Sequence, residues 1–131
     1  MNPILCVDFD GVIHSYTSAW IDEKTIPDPP VPGALRWLAE AAKTFDVRIY
    51  SSRSKSQAGR SAMRNWLEKW ALDPELGVPP DHENASLAVI EVAHEKPAAF
   101  LTIDDRAIRF DGSWDKLDPA ELLKFKPWNK R

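Results

Sequence analysis

The 131-residue chain has one cysteine, Cys6, so it forms no intrachain disulfide, and with no CxxC pair its three histidines belong to no cysteine-based zinc site. Near the N-terminus the only apolar run is Ile4 to Val7, which Asp8 ends; that is too short for a secretory core. Nowhere does the chain approach the roughly 20 apolar residues of a membrane span, so no membrane partner is expected. A reducing, cytoplasmic setting is the expectation. A strong charge of either sign is also missing: 17 Lys and Arg oppose 20 Asp and Glu, for a net charge of −3. The overall basic footprint of a dedicated nucleic-acid-binding domain is therefore lacking. There is no internal repeat or low-complexity segment, and with 44% hydrophobic residues one globular domain over 1–131 is expected.

What is present alternates between strand and helix patterns. Ile4-Leu5-Cys6-Val7 is apolar on both faces, the pattern of a central parallel strand covered on both sides. From 12 to 31 the chain is polar, aromatic and proline-punctuated, a loop excursion and not a domain. A helix is predicted from Pro32-Gly33 through Lys43, a strand over Asp46 to Ser51, and a second helix over Gln57 to Ala71, whose Met63, Trp66, Leu67 and Trp70 form an apolar stripe. After a loop over Pro74 to Ala85, strands are expected at Leu87 to Val92, Phe100 to Ile103 and Ile108 to Phe110, with a terminal helix near Pro119 to Phe125. Such alternation predicts an α/β fold, a Rossmann-like doubly wound parallel sheet with helices on both faces. The end of the chain, 124–131, is basic with an interleaved Trp128 and reads as a solvated tail.

In open α/β sheets ligands bind beyond the carboxyl ends of the strands. The acids gather there: Asp8 and Asp10 after the first strand, Asp104 and Asp105 after the fourth, with Ser51 after the second. Gly11 lets the backbone turn sharply and approach an anion. Carboxylates converging on one edge repel and retain protons unless a cation lies among them, and a hard, oxygen-preferring ion such as Mg²⁺ meets that need.

Val7-Asp8-Phe9-Asp10-Gly11-Val12, Ile49-Tyr50-Ser51, Lys96 and Thr102-Ile103-Asp104-Asp105, in that order, resemble the four motifs of the haloacid dehalogenase-like (HAD) superfamily of phosphohydrolases. Receiver domains share these ingredients in a different order. The resemblance implies that Asp8 is the nucleophile that forms an aspartyl phosphate, and that Asp10 is the general acid and base and a metal ligand through its carbonyl. It further implies that Asp104 and Asp105 complete a Mg²⁺ site with Asp8, that Ser51 binds a phosphoryl oxygen, and that Lys96 offsets charge. Dehalogenases of the superfamily lack an acid at the position of Asp10, so its presence favours phosphatase chemistry. Neither usual insertion point has room for a cap domain, so a small capless member of the kind found in bacteria and phages is implied.

Around this set, Ser52 is the alternative phosphate contact to Ser51. His14, Tyr16 and Trp20 on the excursion are candidates for contacting a leaving group or pinning the loop, and Arg53 and Arg106 for binding further phosphate. The expected partner is a phosphorylated substrate, either a small molecule or a nucleotide or polynucleotide end. The competing expectation is a catalytically weak Mg²⁺- and phosphate-binding module that serves as a partner domain.

Overall fold

The computed structural model describes residues 1–80 and 86–130. Four strands form one parallel sheet: β1 (Ile4–Val7), β2 (Asp46–Ile49), β3 (Glu91–Val92) and β4 (Leu101–Ile103), in the spatial order β3-β2-β1-β4. The helices are α1 (Ala34–Ala41), α2 (Gln57–Ala71) and a single turn, α3 (Pro119–Leu122), with short 3₁₀ segments at Ser52–Lys55 and Trp128–Lys130. No helix among the described residues is long and apolar enough to cross a membrane.

Register decides which residues make the core. Leu5 lies beside Val47 and Leu101, and Val7 beside Ile49 and Ile103, so these side chains share one face of the sheet. On that face Leu5, Val7, Val47 and Ile49 pack with Leu35, Leu38 and Ala39 of α1 and Met63, Trp66 and Leu67 of α2 in one buried cluster, with Ile103 at its margin and Leu101 exposed at the edge strand. Both long helices therefore cover the same face, as right-handed crossovers from β1 to β2 to β3 require when each step moves in the same direction. The other face carries Cys6, Arg48 and Thr102, with Arg48 paired to Asp46 and Glu91. The expectation of helices on both faces is met on one. Cys6 is nonetheless buried beside Thr102, and burial pushes its thiol pKa up.

Three elements differ from expectation. The strand expected at Leu87 to Val92 is only Glu91–Val92, because the Arg64 guanidinium on α2 takes the carbonyls of Leu87 and Ile90 that a strand would give to a neighbour. Ile108 to Phe110 is no strand; Phe110 instead meets Trp114, with ring centroids 4.8 Å apart, and both are exposed. The terminal helix stops at Leu122, capped at its start by the Asp118 side chain on the Ala120 amide. The Pro74 to Ala85 loop falls outside the described residues from 81 onward.

The excursion is a loop with a pinched neck. Its two ends are tied by Ser15 N–H to the Pro29 carbonyl and Val31 N–H to the Ile13 carbonyl, with His14 bridged to Pro30. The basic tail is not simply solvated. Pro127 is buried, Trp128 Nε1 donates to the Gly11 carbonyl at 2.7 Å, and Asn129 Nδ2 donates to the Ser15 carbonyl at 3.1 Å. The last turn thus straps the loop that follows Asp10.

Candidate functional site

A cavity of about 330 Å³ opens at the carboxyl ends of β1, β2 and β4, lined by Asp8, Asp10, Ser51, Ser52, Asp104 and Asp105 with Tyr16, Trp20 and Arg106 at its margin. It is comparable in size to an apolar groove of about 340 Å³ elsewhere on the surface, but it is the cavity that collects the acids. β1 delivers Asp8, whose amide is held by the Ile103 carbonyl at 2.9 Å, so the ends of β1 and β4 are locked in register where Asp8 meets Asp104 and Asp105.

Asp8, Asp104 and Asp105 each bring a carboxylate oxygen to a common point, all within 4.8 Å of one another. Burial pushes the Asp8 pKa up from the usual 3.8 to about 7; the Phe9 amide opposes this, while the charges of Asp104 and Asp105 and a hydrogen bond with Asp105 add to it. The Asp105 Oδ1 atom is buried without a hydrogen-bond partner among the described residues. A buried carboxylate oxygen with no donor is costly unless a cation compensates it. Three convergent carboxylates, one of them with an orphaned oxygen, fit a hard divalent ion such as Mg²⁺. Gly11 is what lets Asp105 approach: its φ is +81°, and a Cβ there would lie 2.3 Å from Asp105 Oδ2.

Asp10 faces the opposite situation. Arg53 Nε donates to both of its oxygens at 2.9 and 3.0 Å, and His14 Nδ1 lies 2.8 Å from Oδ1. The Asp28 amide donates to His14 Nε2 at 3.1 Å, so that nitrogen is the unprotonated one and Nδ1–H donates to Asp10. Behind them Trp66 Nε1 donates to the Asp28 carbonyl at 3.0 Å, and its ring meets Phe9 and His14 edge-on at 5.1 and 5.7 Å. The Asp10 side chain therefore belongs to the cavity but not to the Asp8–Asp104–Asp105 cluster.

This arrangement changes the expected roles of two residues. His14 is fully buried and lies behind Asp10, so it positions the acid and lines no part of the cavity. Arg53 is equally buried, and its Nη1 donates to the carbonyls of Asp22 and Thr25 at 2.8 and 2.9 Å. It ties the excursion to Asp10 and is not an exposed phosphate clamp. Sequence spacing alone had no means of showing this, because the partners lie 28 to 43 positions away.

Ser51 follows β2 in extended geometry and is buried. Its hydroxyl accepts from the Arg53 amide at 3.1 Å and caps the 3₁₀ turn, which leaves its own O–H to donate. Ser52 is exposed at the same rim, so both serines reach the cavity. Lys96 is exposed on the β3 to β4 connection, close enough to Cys6 to act on its thiol electrostatically but not among the residues lining the acid cavity. Arg106 reaches the rim, with its amide on Asp104 Oδ1 at 2.8 Å. The residues missed at the sequence level are Asp28, Trp66 and Trp128, which buttress the acid loop from behind.

Comparison with known proteins adds no assignment: no protein-family model, curated protein or solved structure matches the chain.

Proposed function

We propose that the chain is a Mg²⁺-dependent phosphomonoesterase, a capless HAD-like phosphatase that works through an aspartyl phosphate. The observation that carries this reading is the meeting of carboxylate oxygens of Asp8, Asp104 and Asp105 within 4.8 Å, with Asp105 also holding an unpartnered oxygen and with Asp10 and Ser51 around the same cavity. The motif order supports it, and so does the sheet order. β1 lies between β2 and β4, so the strand sequence reverses at β1, and the crevice of a Rossmann-like sheet opens at such a reversal.

Asp8, Asp104 and Asp105 would hold the ion. When bound, Mg²⁺ supplies charge neutralisation of the phosphoryl group and of the converging acids. An Asp8 oxygen attacks phosphorus, a P–O bond forms to the carboxylate, and the ester P–O bond breaks. Asp10 provides a proton to the departing oxygen and takes one from the water that then cleaves the acyl phosphate, releasing inorganic phosphate and regenerating Asp8. Arg53 and His14 fix the Asp10 carboxylate in place for both transfers. The Ser51 O–H donates to a phosphoryl oxygen, and Lys96 is assigned to charge compensation from the β3 to β4 connection, on the Cys6 side of β1 where Asp8 and Asp104 also act.

The test is release of inorganic phosphate from p-nitrophenyl phosphate, nucleoside monophosphates and phosphorylated oligonucleotides, by wild type and Asp8→Asn, with Mg²⁺ or EDTA. Turnover abolished by both the substitution and EDTA is expected. Equal inertness of wild type and Asp8→Asn on every substrate, with Mg²⁺ still bound, would overturn the reading in favour of a binding module.

A further inference from the structure

We infer that Trp20, with Tyr16 beside it, is a stacking platform for the nucleobase of a nucleoside monophosphate, free or at the end of a polynucleotide, whose phosphate enters the acid cavity. The inference deepens the phosphomonoesterase reading and rests on it for the placement of the phosphate.

Trp20 and Tyr16 line the same cavity as Asp8 and Asp10. The Trp20 ring lies over the Arg53 guanidinium, 4.4 Å from its carbon to the ring centroid, and Trp20 is still 45% exposed. One ring face is therefore backed by a buried cation while the residue as a whole stays open to solvent, whereas a tryptophan that merely pinned the loop would bury its ring in the core. The platform is also held still. On one side of Trp20, the Ser18 amide and hydroxyl donate to Asp28 at 2.8 and 2.7 Å; on the other, Arg53 grips the Asp22 and Thr25 carbonyls. Tyr16 keeps a backbone φ of +55°, which a side chain rarely adopts, and its ring lies 5.8 Å from His14. Preorganised aromatic faces of this kind bind planar rings with little ordering cost.

The position of Trp20 suits a nucleobase. The Arg53 guanidinium bonds to Asp10 through its edge and stacks under Trp20 through its face, so Trp20 lies to the side of Asp10 on the wall of the same cavity. A base joined to its phosphate through a sugar can stack on Trp20 while the phosphate lies among the acids of the same cavity.

The experiment compares kcat/KM with Mg²⁺ for adenosine 5′-monophosphate, ribose 5-phosphate, p-nitrophenyl phosphate and a 5′-phosphorylated oligonucleotide, in wild type, Trp20→Ala and Trp20→Phe. Wild type is expected to prefer the nucleotide over ribose 5-phosphate by on the order of tenfold to a hundredfold, the usual worth of one stacked base. Trp20→Ala should collapse that ratio toward one, and Trp20→Phe should keep most of it. The oligonucleotide arm shows whether the base is read free or at a chain end. Equal rates on nucleotide and ribose phosphate in wild type, or an unchanged ratio in Trp20→Ala, overturn the inference and leave the phosphatase reading standing. Equilibrium binding of the nucleotide and ribose 5-phosphate, with Mg²⁺, to Asp10→Asn, which keeps Asp8, Asp104 and Asp105, separates the two failures. Base-dependent binding without turnover in wild type upholds the platform and sinks the phosphatase, and base-independent binding, or none, sinks the platform.

Discussion

Gly11→Ala probes the contact on which the acid cluster depends. Two costs arise. Holding alanine at a φ of +81° costs about 1–2 kcal/mol. The new Cβ would also lie 2.3 Å from Asp105 Oδ2 and 3.1 Å from its carboxyl carbon, so Asp105 must withdraw by about an ångström to reach ordinary contact. Gly112 is the internal control: its φ is +98°, but nothing lies within 4 Å of a Cβ there, so Gly112→Ala carries the backbone term alone. In urea denaturation without metal, Gly11→Ala should lose about 2–3 kcal/mol and Gly112→Ala at most about 1–2. Adding Mg²⁺ at a hundredfold excess over its dissociation constant should stabilise wild type by about 2.7 kcal/mol. That gain should survive in Gly112→Ala and mostly vanish in Gly11→Ala, with phosphatase activity down by about a hundredfold, the usual effect of an ångström's misplacement. If the two variants lose the same stability and both keep the Mg²⁺ response, Asp105 does not depend on Gly11 and the ion site is misassigned.

Arg53→Met removes the donor to Asp10 and leaves the Asp22 and Thr25 carbonyls without their guanidinium; a loss of about 3–5 kcal/mol in a denaturant titration is expected, and a loss under 1 kcal/mol would mean the buried network is not formed. The Asp8 pKa is about 7 in the folded protein against 3.8 unfolded, so the folded state binds the extra proton between those values and the metal-free protein loses stability as pH rises from about 4 to 7. Mg²⁺ displaces that proton, so the rise in thermal midpoint on adding Mg²⁺ should be larger at pH 8 than at pH 6; a pH-independent rise would count against Asp8 as a ligand. Cys6 is buried with its pKa raised, so a thiol reagent at pH 8 should modify it only after denaturation, and rapid labelling of the native protein would show that the face of the sheet opposite the helices is open at β1.

The parallel sheet and the gathering of acids at one edge were legible because both are local. An apolar run ending in Asp8 marks a buried strand, and alternating periodicities mark crossovers. What escaped is set by distant partners. Arg64, in the middle of α2, curls the stretch from Leu87 to Ile90 into a turn by taking its carbonyls, although its composition suits a strand. Arg53 looks like a phosphate ligand beside Ser51 and Ser52 until the fold brings Asp10 and two excursion carbonyls onto its guanidinium. Trp128 lies among lysines in a stretch that reads as solvent-facing. Its indole N–H reaches back across 117 positions to Gly11, and no local pattern encodes that contact.

The two aspartates of the first motif are two residues apart yet differ in their neighbours, and the difference follows from where the chain leaves the strand. Asp8 still belongs to β1's edge and so meets the acids that β4 delivers at the same level. Asp10 lies past the strand, where the backbone turns through Gly11 and His14 N–H returns to the Phe9 carbonyl, so its carboxylate swings toward the neck of the excursion and its donors. One carboxylate faces two other carboxylates and calls for a cation; the other accepts from Arg53 and His14 and is held at a fixed angle. Adjacent acids in contrasting environments take separate chemical roles. On this argument exchanging Asp10 for Asn, which keeps the shape but accepts less from Arg53 and His14, should abolish turnover while leaving the Mg²⁺-induced rise in thermal midpoint intact. Asp8→Asn should remove both. Loss of the Mg²⁺ response in Asp10→Asn would show that the two acids form one cluster and that their division of labour is not real.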